Sequence, residues 1–218
     1  AYKEGRITDE RLDDAVRHVL EAQHKTLKEP SAKTLSQEQK AVIEEVNKRC
    51  VCALTEDGVD VKLSDNTKKL FVILRENSYP EIEGKSKELS GIGWFSLEKA
   101  QLKKQRILEE FPDAKVIIMN EFPNQLETEN VCVEIAKADE AIFFTFCRTS
   151  SYLASDSITA RIEYLIKANR NKTAAVVHMG NPFELKKFKG IKRILFGLPG
   201  GNCEEYAIRA LKGDFVPT

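Results

Sequence analysis

What this sequence does not contain narrows it first. No run of apolar residues approaches the roughly 20 that a membrane-crossing helix needs, and the opening AYKEGRITDE has no apolar signal core, so nothing in it marks export or names a compartment. Neither sign of charge predominates: 34 Lys and Arg side chains offset 34 Asp and Glu. A chain without a net field has no long-range attraction to DNA, RNA or an anionic membrane, which argues against a nucleic-acid partner. Cysteine is sparse and odd in number. The five, Cys50, Cys52, Cys132, Cys147 and Cys203, include no CxxC spacing and fall mostly inside predicted elements, so they read as free buried thiols acting as small hydrophobes. Histidine is scarcer still, and His18, His24 and His178 stand too far apart for a zinc constellation. No metal or other cofactor is expected. Repeats, low-complexity tracts and charge blocks are also missing.

What is present suits a globular protein: 218 residues, 42% hydrophobic and 31% charged, are enough for one large domain or a domain with an appendage. The stretch Thr173 to Phe188 organises the reading. Ala174 to Val177 is an uncharged apolar run suited to a strand buried on both faces of a parallel sheet. Asn181, Pro182 and Glu184 then predict a helix start: Asn181 caps the first turn, Pro182 has no N–H to leave unpaired, and Glu184 reaches back.

The same alternation runs through most of the chain. Thr8 caps an amphipathic helix to about Lys25, with Leu12, Ala15, Val16, Val19 and Leu20 on one stripe. After a linker around Pro30, Ser36 and Gln39 open a second helix by a capping box, with Val42, Ile43, Val46 and Cys50 on its apolar face. VCALT, GVDVKL and LFVIL predict two short strands and a buried one. Glu76 to Ser96 reads as a long loop, and Ser96 caps a helix to about Phe111. KVIIM is a strand, followed by a helix from about Gln125 to Ala138, the strand EAIFFTFC, and a helix with Ile158, Ile162, Leu165 and Ile166 on one side. A last strand spans Arg193 to Leu198. A last helix, capped by Asn202 with Glu205, ends at Gly213. Strands alternating with helices imply right-handed crossovers and an α/β fold, a three-layer αβα sandwich with a mostly parallel sheet.

Function in such a fold sits beyond the carboxyl ends of the strands. Three polar turns lie there: Asn120 and Glu121, Arg148 to Tyr152, and His178 to Asn181. Arg148, Ser150, Tyr152, His178 and Asn181 are the candidates for binding a sugar or a phosphate; the competing reading is that these groups cap helices and face solvent. His178 has the chemistry of a general base or ligand, yet a single histidine beside a core strand is more often a hydrogen-bonded structural residue. Gly91-Ile92-Gly93-Trp94-Phe95-Ser96 resembles a dinucleotide fingerprint but has no strand immediately before it and Ser96 where the third glycine belongs. Among Glu76, Glu121 and Asp156, no spacing shows two carboxylates converging as glycoside hydrolysis requires. No residue is assigned a catalytic role.

The order of motifs is more telling than any one of them. YKEGRITDERLDDAVRHVLEAQHKTL, matching at Gly5, Arg6, Ile7, Arg11, Leu12, Asp13, Ala15, Val16 and Leu20, resembles the last helix of the catalytic barrel of glycoside hydrolase family 3. DEAIFFTFC, AAVVHMGNPFELKKF, KRILFGLPGG and LKGDFVPT are similar to segments of that family's second domain, in the same order. The resemblance implies an N-terminal helix left over from a TIM-type barrel with its linker, residues 1–35, and a C-terminal α/β sandwich domain, residues 36–218. Its nearest branch is the β-N-acetylhexosaminidases, which remove terminal N-acetylglucosamine with residues carried on the barrel, upstream of Ala1. On this resemblance the chain is a C-terminal piece ending just after Pro217. Its partners are the N-terminal catalytic barrel of the same polypeptide and the carbohydrate substrate of the full-length enzyme. Such a piece is an accessory domain, inactive alone, that buttresses the barrel and lends loops to the substrate cleft.

Two other readings stay open: a stand-alone Rossmann-like α/β module binding a nucleotide or small anion at helix N-termini near Arg148 and Asn202, and an interaction domain with no ligand.

Overall fold

A computed structural model describes residues 2, 5, 7–26, 35–76, 95–147, 158–199 and 202–218. These divide into two units, Ala1–Ala41 and Val42–Thr218.

In the first unit, helix α1 (Asp9–Thr26) begins where the sequence predicts. The Thr8 hydroxyl accepts from the Arg11 N–H at 3.3 Å, and Asp9 and Glu10 place negative charge at the positive end of the helix. Asp14 pairs with Arg11 at 3.3 Å and Arg17 at 2.5 Å on the polar side. The opposite stripe, Leu12, Val16, Val19 and Leu20, is exposed.

Helix α2 (Gln37–Arg49) opens with the expected reciprocal cap, Gln39 N–H to Ser36 Oγ at 3.1 Å and Ser36 N–H to Gln39 Oε1 at 2.9 Å. The second unit then builds β1 (Cys52–Thr55), β2 (Lys69–Arg75), α3 (Leu97–Glu110), β3 (Lys115–Asn120), α4 (Gln125–Lys137) and β4 (Glu140–Phe146). It continues with α5 (Ala160–Ala168), β5 (Thr173–Met179), a 3-10 helix (Pro182–Phe188), β6 (Arg193–Gly197) and α6 (Cys203–Lys212).

Among the described residues, six strands form one sheet in the order β1-β6-β5-β4-β2-β3. Only β1 runs antiparallel to its neighbour; β2 to β6 are parallel. The β2–α3–β3 unit steps one way along the sheet and β3–α4–β4 steps back past β2. With right-handed crossovers, that reversal sends the two connecting helices to opposite faces. Helix α6 joins α3, and the 3-10 helix joins α5. The three-layer α/β architecture is therefore the observed one. Its core is drawn from β2, β4 and β5, whose Leu70–Leu74, Ala141–Phe146 and Ala174–Met179 are buried.

Four local expectations are corrected. GVDVKL forms no strand, although Val61 and Leu63 are buried as its alternation demands. Its backbone is satisfied from the side: the Arg193 guanidinium donates to the carbonyls of Asp60 at 2.6 Å and Lys62 at 3.1 Å, and Leu63 N–H donates to the Leu211 carbonyl at 2.9 Å. The turn after β5 enters a 3-10 helix, not an α-helix. Asn181 Oδ1 caps Phe183 N–H at 3.0 Å, and the buried Glu184 carboxylate accepts from Ile158 N–H at 2.9 Å and pairs with Lys187 at 2.8 Å. Asn202 makes no side-chain cap, because its backbone (φ −106°, ψ 17°) lacks the extended conformation that aims an N-cap side chain at the first turn, and Glu205 pairs with Arg106 at 2.6 Å. All five cysteines are free thiols, yet only Cys147 is buried; Cys50 and Cys52 are exposed and Cys132 and Cys203 half-buried.

Gly180 is required by the turn that ends β5. Its φ is +129°, and a β-carbon there would stand 2.2 Å from the Cys147 carbonyl oxygen. Gly180→Ala must therefore move backbone on two strands, and we expect a loss of about 3 kcal/mol or more of unfolding free energy in urea titrations. A loss under about 1 kcal/mol would show that the turn yields freely.

Candidate functional site

Neighbouring parallel strands whose chain connections leave in opposite directions open a crevice at their carboxyl ends, the place where α/β sheets receive ligands. Here that point lies between β2 and β4. Glu76 follows β2 and its N–H donates to the Phe95 carbonyl at 2.8 Å. Glu121 follows β3, one residue past the Arg75–Asn120 pair, so these two acids end adjacent strands. The start of α5 closes one side, with Thr159 Oγ1 donating to the Glu121 carbonyl at 3.2 Å and Arg161 to the Pro123 carbonyl at 2.8 Å.

The β4 and β5 ends meet at Cys147. His178, fully buried, approaches Thr145 Oγ1 through Nδ1 at 2.9 Å and Cys147 Sγ through Nε2 at 3.5 Å, while the Asn181 N–H donates to the same sulfur at 3.2 Å. The structure thus brings His178 and Asn181 together around one thiol. Both ring nitrogens of His178 are engaged, and its ring lies 5.6 Å from that of Phe188. Burial pulls its pKa down to about 4, against the opposing pull of the Glu184 carboxylate, so the imidazole is neutral at neutral pH. A neutral, enclosed imidazole holds the turn in place. Arg148, Ser150, Tyr152 and Asp156 lie outside the described residues.

A cavity of about 360 Å³ opens between α3 and α6, at the ends of β5 and β6. Phe95, Lys99, Lys103, Arg106, Leu198 and Glu205 line it. Lys103 is the residue that sequence reasoning missed. It is buried, pairs with Glu204, and stands 5.9 Å from the Phe95 and 5.5 Å from the Phe144 ring centre. Its position on one helical stripe with Ala100 and Ile107 was the available signal. Glu204 and Glu205 occupy the first turn of α6, so the Asn202 end of that helix offers a free anion little attraction. Among the described residues, no group of three or more His, Cys, Asp or Glu side chains is arranged to hold a metal ion, and no helix is long and apolar enough to cross a membrane.

The His178 cluster predicts a pH dependence of stability. The unfolded chain takes up the proton near pH 6.5 and the folded protein only near pH 4, so the contribution is full above about 6.5 and is lost as pH falls toward 4. The whole loss is about 3 kcal/mol. The unfolding free energy of the native protein should fall more steeply between pH 7 and pH 5 than that of His178→Gln; parallel slopes would contradict a neutral buried imidazole.

No protein-family model and no curated protein matches the chain. Solved structures do. A glycoside hydrolase family 3 β-N-acetylglucosaminidase from a Paenibacillus species aligns over 99% of this chain and 39% of that one, with a TM-score of 0.68 and 17% identity. A β-glucosidase from Listeria innocua aligns over 98% of this chain and 32% of its own, at TM-score 0.60 and 14% identity. A fungal multi-domain β-N-acetylglucosaminidase of the same family aligns over 99% and 23%, at TM-score 0.59 and 16% identity. The chain spans well under half the length of each of these enzymes. It carries a fold that forms part of glycoside hydrolase family 3 enzymes, the family whose motifs its sequence resembles.

Proposed function

We propose that the chain is the accessory C-terminal domain of a family 3 glycoside hydrolase of the β-N-acetylhexosaminidase type. Residues 1–35 are the last helix of the catalytic barrel and its linker, and residues 36–218 are the sandwich that packs on that barrel. The observation that carries this reading is the stripe of α1. Leu12, Val16, Val19 and Leu20 are between 43% and 58% exposed on a helix whose other side is salt-bridged and polar. A helix of this kind gains little stability from propensity and needs a partner for its apolar face. A barrel supplied by the same polypeptide is such a partner, and the small share of each family 3 enzyme that the chain spans supports it.

Hydrolysis with retention needs a nucleophile and an acid/base about 5 Å apart. In this reading both lie on the barrel, and the sandwich lends loops to the cleft. The segment after β4 that carries Arg148, Ser150 and Tyr152 is the candidate loop, with Asn181 at the neighbouring turn; His178 acts by shaping that turn.

The purified chain should leave a chromogenic β-N-acetylglucosaminide intact, and joining it to the barrel encoded upstream of Ala1 should restore hydrolysis. Hydrolysis by the chain alone, or an upstream reading frame without a barrel, would overturn the proposal. Val16→Glu with Val19→Glu should lower activity of the joined protein tenfold or more, roughly the effect of a 1.4 kcal/mol loss in docking, while leaving the Tm of the purified 218-residue chain unchanged.

A further inference from the structure

The end of α2, the start of β1 and the start of α6 bring two thiols together. Cys50 follows α2 and is exposed, Cys203 is the first residue of α6 and half-buried, and Cys203 Sγ lies 3.9 Å from the Cys50 carbonyl oxygen. Two independent features hold them there. Strand β1 pairs antiparallel with β6 as far as Cys52 opposite Phe196, with Cys50 two residues before that pair and Gly197 one residue after it. Gly197 is in turn the residue against which Cys203 sits, its Cβ 3.0 Å from where a β-carbon on Gly197 would stand. A side chain at position 197 would crowd both Cys203 and Met179, whose Sδ would stand 3.1 Å from the added carbon. The absence of one lets the thiol settle beside Cys50.

We propose that Cys50 and Cys203 form a dithiol modification site whose co-substrate is a low-molecular-weight disulfide, and that its product is a Cys50–Cys203 disulfide. The two thiols have distinct roles. Cys203 is held protonated, its pKa raised by burial and then by the neighbouring Cys50, whereas Cys50 is open to solvent and attacks first. The Cys50 thiolate attacks one sulfur of the small disulfide, breaking its S–S bond and releasing one thiolate, which takes up a proton. Cys203, on losing its proton, attacks the Cys50 sulfur of the mixed disulfide and releases the second small thiol. Two protein thiols are oxidised by two electrons, and one disulfide is reduced to two thiols. The bond would tie residues 153 positions apart, closing a loop long enough to remove much freedom from the unfolded chain.

The test treats the full chain with oxidised glutathione at mildly alkaline pH and quenches by acid. The expected product yields a Cys50–Cys203 peptide that has lost the mass of two hydrogens on non-reducing digestion, whatever the exposed Cys52 carries, and melts several degrees higher until dithiothreitol is added. Cys203→Ser and Cys203→Ala should each stop at a glutathione adduct on Cys50, and Cys50→Ser should leave Cys203 unmodified. Cys52→Ser should cross-link as the native chain does. A native chain that retains both thiols, one that keeps the glutathione adduct unresolved, or a cross-link through Cys52 would overturn the proposal.

Discussion

Complete burial of β5 is the constraint on which the rest depends. A strand enclosed on both faces can pair its backbone only with neighbouring strands, and any polar side chain on it must find its partner inside the protein. His178 meets that demand through Thr145 and Cys147 on β4. The same demand sets the turn that follows. Cys147 also receives the Asn181 N–H, so the chain leaves β5 pressed against the end of β4, close enough that Gly180 has room for no side chain. Two residues later the chain enters a 3-10 helix whose buried Glu184 reaches the backbone just before α5. One enclosed strand thereby fixes the turn that follows it and ties that turn to Cys147 at the end of β4 and to Ile158 just before α5.

The elements that the sequence reveals best are those with a single, locally written reason to form. The runs LFVIL, AIFFTF and AAVV are apolar along nearly their whole length, as strands buried on both faces of a sheet must be. Helix starts at Thr8, Ser36 and Ser96 are equally local, since one side chain and one N–H three residues on suffice. GVDVKL shows where locality fails. Its alternation correctly marks Val61 and Leu63 as buried, but whether a ladder forms depends on what lies alongside, and there it is the side chain of Arg193 from a strand more than a hundred residues later. Asn202 fails in the other direction: the residue types of a capping box are present, and the backbone angle at the cap withholds it.

The candidate site divides in the same way. That the strand ends are where an α/β sheet receives ligands followed from the alternation of elements, and the reversal between β2 and β4 marks one such crevice. That Glu76 and Glu121 end adjacent strands was not legible, because 45 positions separate them in a chain whose pairing is decided by the whole sheet. Lys103 was hidden by its chemistry. A lysine on a helix is ordinarily read as solvated, and only its place in register with Ala100 and Ile107 betrays that its ammonium is held against two aromatic rings and a carboxylate.

The two ends of the sheet differ in what they expose. At one, β1 turns antiparallel, and Ala53 N–H is taken up by the Thr218 carbonyl at 3.1 Å. At the other, β3 has β2 as its one sheet neighbour among the described residues, and Lys115 stands at its first position, paired with Glu134 of α4 at 2.7 Å. An outermost strand is where a foreign strand adds most readily, and a cation at its threshold raises the cost of that addition. Self-association through backbone pairing is thus opposed at the margin of the sheet by electrostatic gatekeeping.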